Sequence, residues 1–171
     1  MWEFVGTRRP SFAVTPGSGQ ESVWDYPRPP LAVPCEREVV VLSARSYELA
    51  RSERSYRILE TASPPTFYLP PSAVQSFRLT TLEARSRCEW KGVAVYYAEK
   101  DDPALTPVAW SYPDPAAAFS CIRGHVAFYP GRVACFVDGE RVRPQPGEFY
   151  GGWVTDDVVG PFKGEPGTGG W

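Results

Sequence analysis

Nineteen prolines run through a chain of 171 residues. They leave little room for long helices, because each removes a backbone donor and clashes with the turn before it. The remaining apolar sequence has the length and period of strands. Val39-Val40-Val41-Leu42 is a short apolar run suited to a buried strand. Tyr47 and Leu49 alternate with polar residues, and Tyr56-Arg57-Ile58-Leu59-Glu60 follows a turn-like Arg51-Ser52-Glu53-Arg54. Thr66-Phe67-Tyr68-Leu69 is fenced by Pro64-Pro65 and Pro70-Pro71, which predicts a short edge or connecting strand. Gly92 to Ala98 sets Val93, Val95 and Tyr97 on one face against Ala94 and Tyr96 on the other. Helical turns are expected only at Ser72 to Ser76 and Ala116 to Phe119. The predicted class is mainly β: a single compact domain of curled antiparallel sheets, such as a small barrel, with few short helical turns.

The clearest expected hairpin is Gly124 to Tyr129, a Pro130-Gly131 turn, then Arg132 to Val137. A two-residue turn would pair Tyr129 with Arg132. Val126, Phe128, Val133, Cys135 and Val137 then share a core face, and His125, Ala127, Tyr129 and Arg132 share a mixed one.

Composition removes several function classes. Nine Phe, nine Tyr and six Trp supply far more burial than a disordered chain carries. Eighteen basic against twenty acidic residues argue against a nucleic-acid or membrane-surface partner. No run approaches the ~18 apolar residues of a membrane span, and no apolar segment of a signal peptide follows Met1. A cytoplasmic location is the expectation. Cys35, Cys88, Cys121 and Cys135 are spread without a CxxC pair. That pattern suits neither a disulfide framework nor a zinc site, so no metal or other cofactor is expected.

Three zones differ along the chain. Residues 1–22 are polar and turn-rich and read as an arm. Residues 23–142 hold nearly all the periodic apolar sequence. Residues 143–171 are rich in Pro and Gly, yet they carry Phe149, Tyr150, Trp153, Val158, Val159, Phe162 and Trp171. A flexible linker would not hold so many large apolar groups, so this tail is expected to dock on the core.

Two segments share the pattern W-x-Y-P-x-P, Trp24 to Pro29 and Trp110 to Pro115. They read either as aromatic turns plugging the ends of a sheet or as two walls of one pocket, with Trp24, Tyr26, Trp110 and Tyr112 as ligand-binding candidates. Trp90 and Tyr129 join that set. In Cys88-Glu89-Trp90-Lys91-Gly92, strand alternation puts Cys88 and Trp90 on one face and Glu89 and Lys91 on the other. Cys88 then reads mainly as a structural thiol, since a reactive one needs a nearby cation. Lys91 is a candidate contact for an anionic ligand group. His125, the only histidine, is a candidate acid or base that would need a partner such as Glu60, Glu89 or Asp114. The catalytic candidates are His125, Lys91 and Cys88.

The two W-x-Y-P-x-P segments, Leu59-Glu60-Thr61-Ala62-Ser63-Pro64-Pro65-Thr66-Phe67-Tyr68-Leu69-Pro70-Pro71, Cys88-Glu89-Trp90-Lys91-Gly92 and Gly124-His125-Val126-Ala127-Phe128-Tyr129-Pro130 together resemble the DUF427 family. Gly151-Gly152-Trp153 through Gly160-Pro161-Phe162-Lys163-Gly164 looks like the tail of its cyanobacterial and plant-type members. The resemblance covers about residues 23–165, departing at Glu89, where members commonly have Pro. It implies a compact β-rich domain similar to β-tent folds, in which ligands sit between two sheets meeting at an angle. Many proteins of that type hold zinc through paired cysteines, which this chain lacks. The family also bears a nucleotidyltransferase label in some naming. Gly17-Ser18 precedes Asp25, but no second carboxylate stands two residues on.

Three functional readings follow. The first is a domain that binds a small molecule in an aromatic-walled pocket with Lys, His and Tyr contacts, extending to an enzyme of unstated reaction. The second is a protein-interaction or homodimerisation module built on the aromatic tail. The third is nucleotidyltransferase chemistry.

Overall fold

The computed structural model describes residues 2–171. It is mainly β, and its only helical elements among the described residues are short 3-10 turns at Val23–Asp25, Pro71–Ala73, Ser76–Arg78 and Ala117–Ile122. No helix is long and apolar enough to cross a membrane.

Three antiparallel sheets carry the fold. The first orders β2 (Leu31–Cys35), β5 (Ser55–Glu60) and β6 (Ser63–Tyr68) as β2-β5-β6. The second orders β12 (Glu140–Arg141), β11 (Ala134–Val137), β3 (Val39–Leu42) and β4 (Glu48–Ser52) as β12-β11-β3-β4. The third orders β10 (Val126–Phe128), β9 (Pro107–Ser111), β8 (Gly92–Glu99) and β7 (Leu79–Cys88) as β10-β9-β8-β7. Two short ribbons join the ends of the chain to this body: β1 (Glu21–Ser22) with β15 (Val158–Val159), and β13 (Arg143–Pro144) with β14 (Trp153–Val154).

The prolines sit where the ladders can spare a donor. Pro34 lies in edge strand β2, and Pro64 and Pro65 lie in edge strand β6. Pro107 is the first residue of β9. An edge strand leaves one side of its backbone unpaired, so a missing N–H there costs no ladder bond. The proline pair at 64–65 is therefore inside a strand, where the sequence pattern placed it as a fence.

Strand alternation divides the interior. Phe67 and Phe128 enter the main core with Val39, Val41, Leu49, Val137 and Trp153. Their neighbours Tyr68 and Ala127 point the other way, into a second cluster with Ile58, Trp110, Tyr112 and Ile122. A third cluster gathers Val23, Trp24, Tyr26, Ala62 and Val158, with Phe4, Phe12 and Trp171 against Trp24.

The expected hairpin across Pro130-Gly131 does not form. β10 pairs with β9, and β11 pairs with β3 in another sheet. The Tyr129 N–H already donates to Val108 O at 2.9 Å, so it cannot complete a hairpin pair with Arg132. Tyr129 O instead accepts from both Arg132 N and Val133 N, a helical turn that carries the chain between sheets. The face assignment survives the change of partner, since Val126, Phe128, Val133, Cys135 and Val137 all lie in the main core.

In the tail, Trp153 is fully buried, stacks on Phe67 at 5.0 Å between centroids, and donates its indole N–H to Phe128 O at 3.0 Å.

Candidate functional site

A cavity of about 670 Å³ opens beside the second cluster. Its aromatic side comes from the second cluster. Trp110 on β9 donates its indole N–H to the Tyr68 hydroxyl at 3.0 Å, and its ring lies 4.4 Å from that of Tyr129. Tyr112 lies beyond it, 6.3 Å from Tyr68 between centroids. Burial pushes the phenols of Tyr68 and Tyr112 far above the usual tyrosine range. Tyr129 is pushed up to about 12, by burial first and then by Tyr96. All three are neutral hydroxyls at ordinary pH, available for hydrogen bonds and unable to act as counter-ions.

The β7–β8 connection forms a second side. Cys88 pairs with Gly92, and Glu89, Trp90 and Lys91 form the turn between them. Gly92 has φ of +105°, a conformation that few other residues adopt, so the chain reverses here. This corrects the strand alternation expected for the segment: in a turn, Cys88, Trp90 and Lys91 all border one cavity. Cys88 is a free, half-buried thiol. Lys91 is buried and its ammonium lies 5.7 Å from the Phe119 ring centroid.

The remaining lining was not assigned to a ligand site from the sequence, where Glu60 figured only as a partner for His125. Glu60, Ser63 and Thr66 contribute from the β5–β6 hairpin, and Trp2, Gly151 and Lys163 contribute from the two ends of the chain. Arg28 is buried, sits 3.4 Å from Glu60, and holds Phe4 O and Thr61 O. Trp2 is flanked by Arg28 at 4.3 Å and Lys163 at 3.9 Å from its ring centroid. Burial and the Arg28 charge lower the Lys163 ammonium from its usual range, while Lys163 donates to Trp171 O at 2.9 Å. Gly151 lies against the aromatic side: a Cβ there would collide with the Trp110 ring and stand 3.2 Å from Tyr129 Cδ1. The sequence signal for this wall was Gly151-Gly152 inside an aromatic-rich tail, which acquires meaning only once Trp110 is known to face it.

Six of the nine candidate residues line the cavity: Cys88, Trp90, Lys91, Trp110, Tyr112 and Tyr129. Trp24, Tyr26 and His125 do not. Trp24 is sealed in the third cluster and donates to Pro161 O, and Tyr26 is buried beside it. The two W-x-Y-P-x-P segments therefore do not wall one pocket. The first is a 3-10 turn and the second is the end of a strand, so equal spacing directs their rings differently. His125 sits outside the cavity, its Nδ1 3.3 Å from Arg123 O and its ring 5.6 Å from that of Tyr56. Of its expected partners, Asp114 is paired with Arg123 and Glu60 with Arg28. Among the described residues, no three His, Cys, Asp or Glu side chains gather as metal ligands.

No curated protein matches the chain. The family described as Domain of unknown function (DUF427) matches residues 31–139, well over half of the sequence, and the protein belongs to that family.

Proposed function

We propose that this protein binds a small molecule in the cavity bordered by Trp110, Tyr129 and the Glu89–Lys91 turn. The observation that carries the reading is the cavity itself: about 670 Å³, apolar and aromatic on one side, with a few polar groups converging on it. Ligand pockets commonly span roughly 300–1,000 Å³ with that composition. Lys91, Cys88 and the Tyr129 hydroxyl supply the polar contacts, and the free thiol of Cys88 on the same lining is a group on which a catalytic step could be built.

The six tryptophans make the test direct, because each indole N–H gives its own NMR signal. A set of small aromatic compounds should shift the signals of Trp90 and Trp110, leaving those of Trp24 and Trp153 in place. Shifts confined to Trp24, Trp153 or Trp171, or none across the set, would overturn the reading.

A second reading is favoured by one observation. Phe149 is 82% exposed and lies edge-on to Tyr150 at 5.0 Å, an aromatic pair on the cavity rim with room for a protein partner or a second copy. The two tail tryptophans, Trp153 and Trp171, are already packed against residues of this chain.

A further inference from the structure

We propose that the molecule taken by this cavity is a flat, ring-bearing acid with a single negative charge, its acidic group meeting the Glu89–Lys91 turn. This rests on the binding reading above. Two donors on adjacent residues of that turn lack an acceptor. Lys91 is only 9% exposed, and its ammonium makes no ion pair among the described residues, although Glu60 on the same cavity pairs with Arg28. The indole N–H of Trp90 is buried with no hydrogen-bond partner. A buried N–H without an acceptor is unfavourable, and the Lys91 ammonium, on a largely buried side chain, meets the cavity with no counter-charge in contact. Two oxygens of a carboxylate or sulfonate relieve both; a neutral carbonyl relieves the indole alone.

Among the other cations of the lining, Lys163 is the only buried one, while Arg87 and Arg132 are exposed to solvent. Lys163 donates to Trp171 O, and Arg132 donates to Pro107 O and stacks over Tyr129. The charge is single because the lining sets Glu60, Glu89 and Glu148 against Arg87, Lys91, Arg132 and Lys163, which leaves one positive charge to balance. The flat ring follows from the Trp110 and Tyr129 rings, which offer a face for stacking.

The test uses two dyes of similar ring framework, 1-anilinonaphthalene-8-sulfonate and the uncharged N-phenyl-1-naphthylamine, read by fluorescence on the full chain. Both should bind the wild type. Lys91→Met should weaken the sulfonate about tenfold or more and leave the neutral dye unchanged, while Lys91→Arg should restore the sulfonate. Trp90→Phe should weaken the sulfonate by a smaller factor, about threefold. Equal loss of both dyes in Lys91→Met, or no loss of either, would overturn the charge assignment and leave the cavity reading standing. Binding of neither dye to the wild type would overturn both. Naphthyl phosphate binding more tightly than naphthoate at pH 8 would overturn the single charge.

Discussion

Trp24-Asp25-Tyr26-Pro27-Arg28-Pro29 and Trp110-Ser111-Tyr112-Pro113-Asp114-Pro115 have the same spacing of the same residue types, and the fold uses them for opposite ends. Trp24 is 1% exposed, with Phe4, Phe12 and Trp171 rings between 5.1 and 5.2 Å away. It closes a core that ties both chain ends to the body. Trp110 has Tyr68 and Tyr129 on its ring but borders open volume as well. A motif of aromatics and prolines specifies stiffness and bulk. Whether the bulk fills a core or walls a cavity depends on what the distant chain places in front of it.

The largest difference between the two copies should appear on truncation. Trp24→Ala leaves a closed void in a packed cluster and should cost about 3–5 kcal/mol. At about 2–4 °C per kcal/mol for a chain this long, Tm falls by roughly 6–20 °C. Trp110→Ala enlarges a cavity already open to solvent, so its cost should be nearer 2 kcal/mol, with the greater damage falling on ligand binding. Thermal unfolding of both variants checks this. A larger loss for Trp110→Ala would mean that its ring is the true keystone and the cavity a by-product.

A second break acts from the far wall. Gly151→Val places a branched side chain where a single Cβ already collides with Trp110. The strain should cost about 1–3 kcal/mol and close the cavity to the dyes. Val at 151 that leaves both Tm and dye binding intact would show that the tail loop can lift away from Trp110.

Alkali should expose both regions in sequence. Tyr26, Tyr68 and Tyr112 are held protonated well beyond the ordinary phenol range, burial being the largest cause in each. Tyr129 lies below them, at about 12, and is the first of the four to release its proton. Between pH 10 and 12 the unfolded chain releases these protons and the folded one keeps them, so stability present below pH 10 is lost as pH rises. Phenolate absorbance near 295 nm should therefore lag behind that of free tyrosine and then rise together with unfolding. Tyr129→Phe should move the onset of unfolding upward. An unchanged onset would place Tyr129 in free contact with water.

Much of the fold was legible because strand alternation is a local signal. Val126, Phe128, Cys135 and Val137 were assignable to one core from their spacing alone, even though their strands pair elsewhere. Their partners were not legible, because the Tyr129 N–H is committed to Val108, a residue remote in sequence. The same limit applies to the candidate site. Its aromatic side stands in periodic sequence within residues 31–139, where the family match also lies. The opposite side, Trp2, Gly151 and Lys163, comes from segments without period, and nothing in a glycine announces the ring it must clear. Lys91 was placed on the wrong face because Glu89-Trp90-Lys91 was read as strand, although Gly92 was there to end a turn.

The smallest expected effect separates the binding reading from the interaction reading. Phe149 is exposed, contacts Tyr150 edge-on and belongs to no buried cluster, so Phe149→Ser should change stability by no more than about 0.5 kcal/mol. If the rim aromatics serve a second copy of the chain, sedimentation of the wild type should show a concentration-dependent dimer that Phe149→Ser abolishes with dye binding intact. If they cover a ligand instead, both proteins should sediment as monomers, and the serine variant should release the dyes faster. A wild type that is monomeric and a variant with unaltered dye kinetics would leave Phe149 with neither role. The Trp110 wall and the Lys91 turn would then have to hold the ligand without help from the rim.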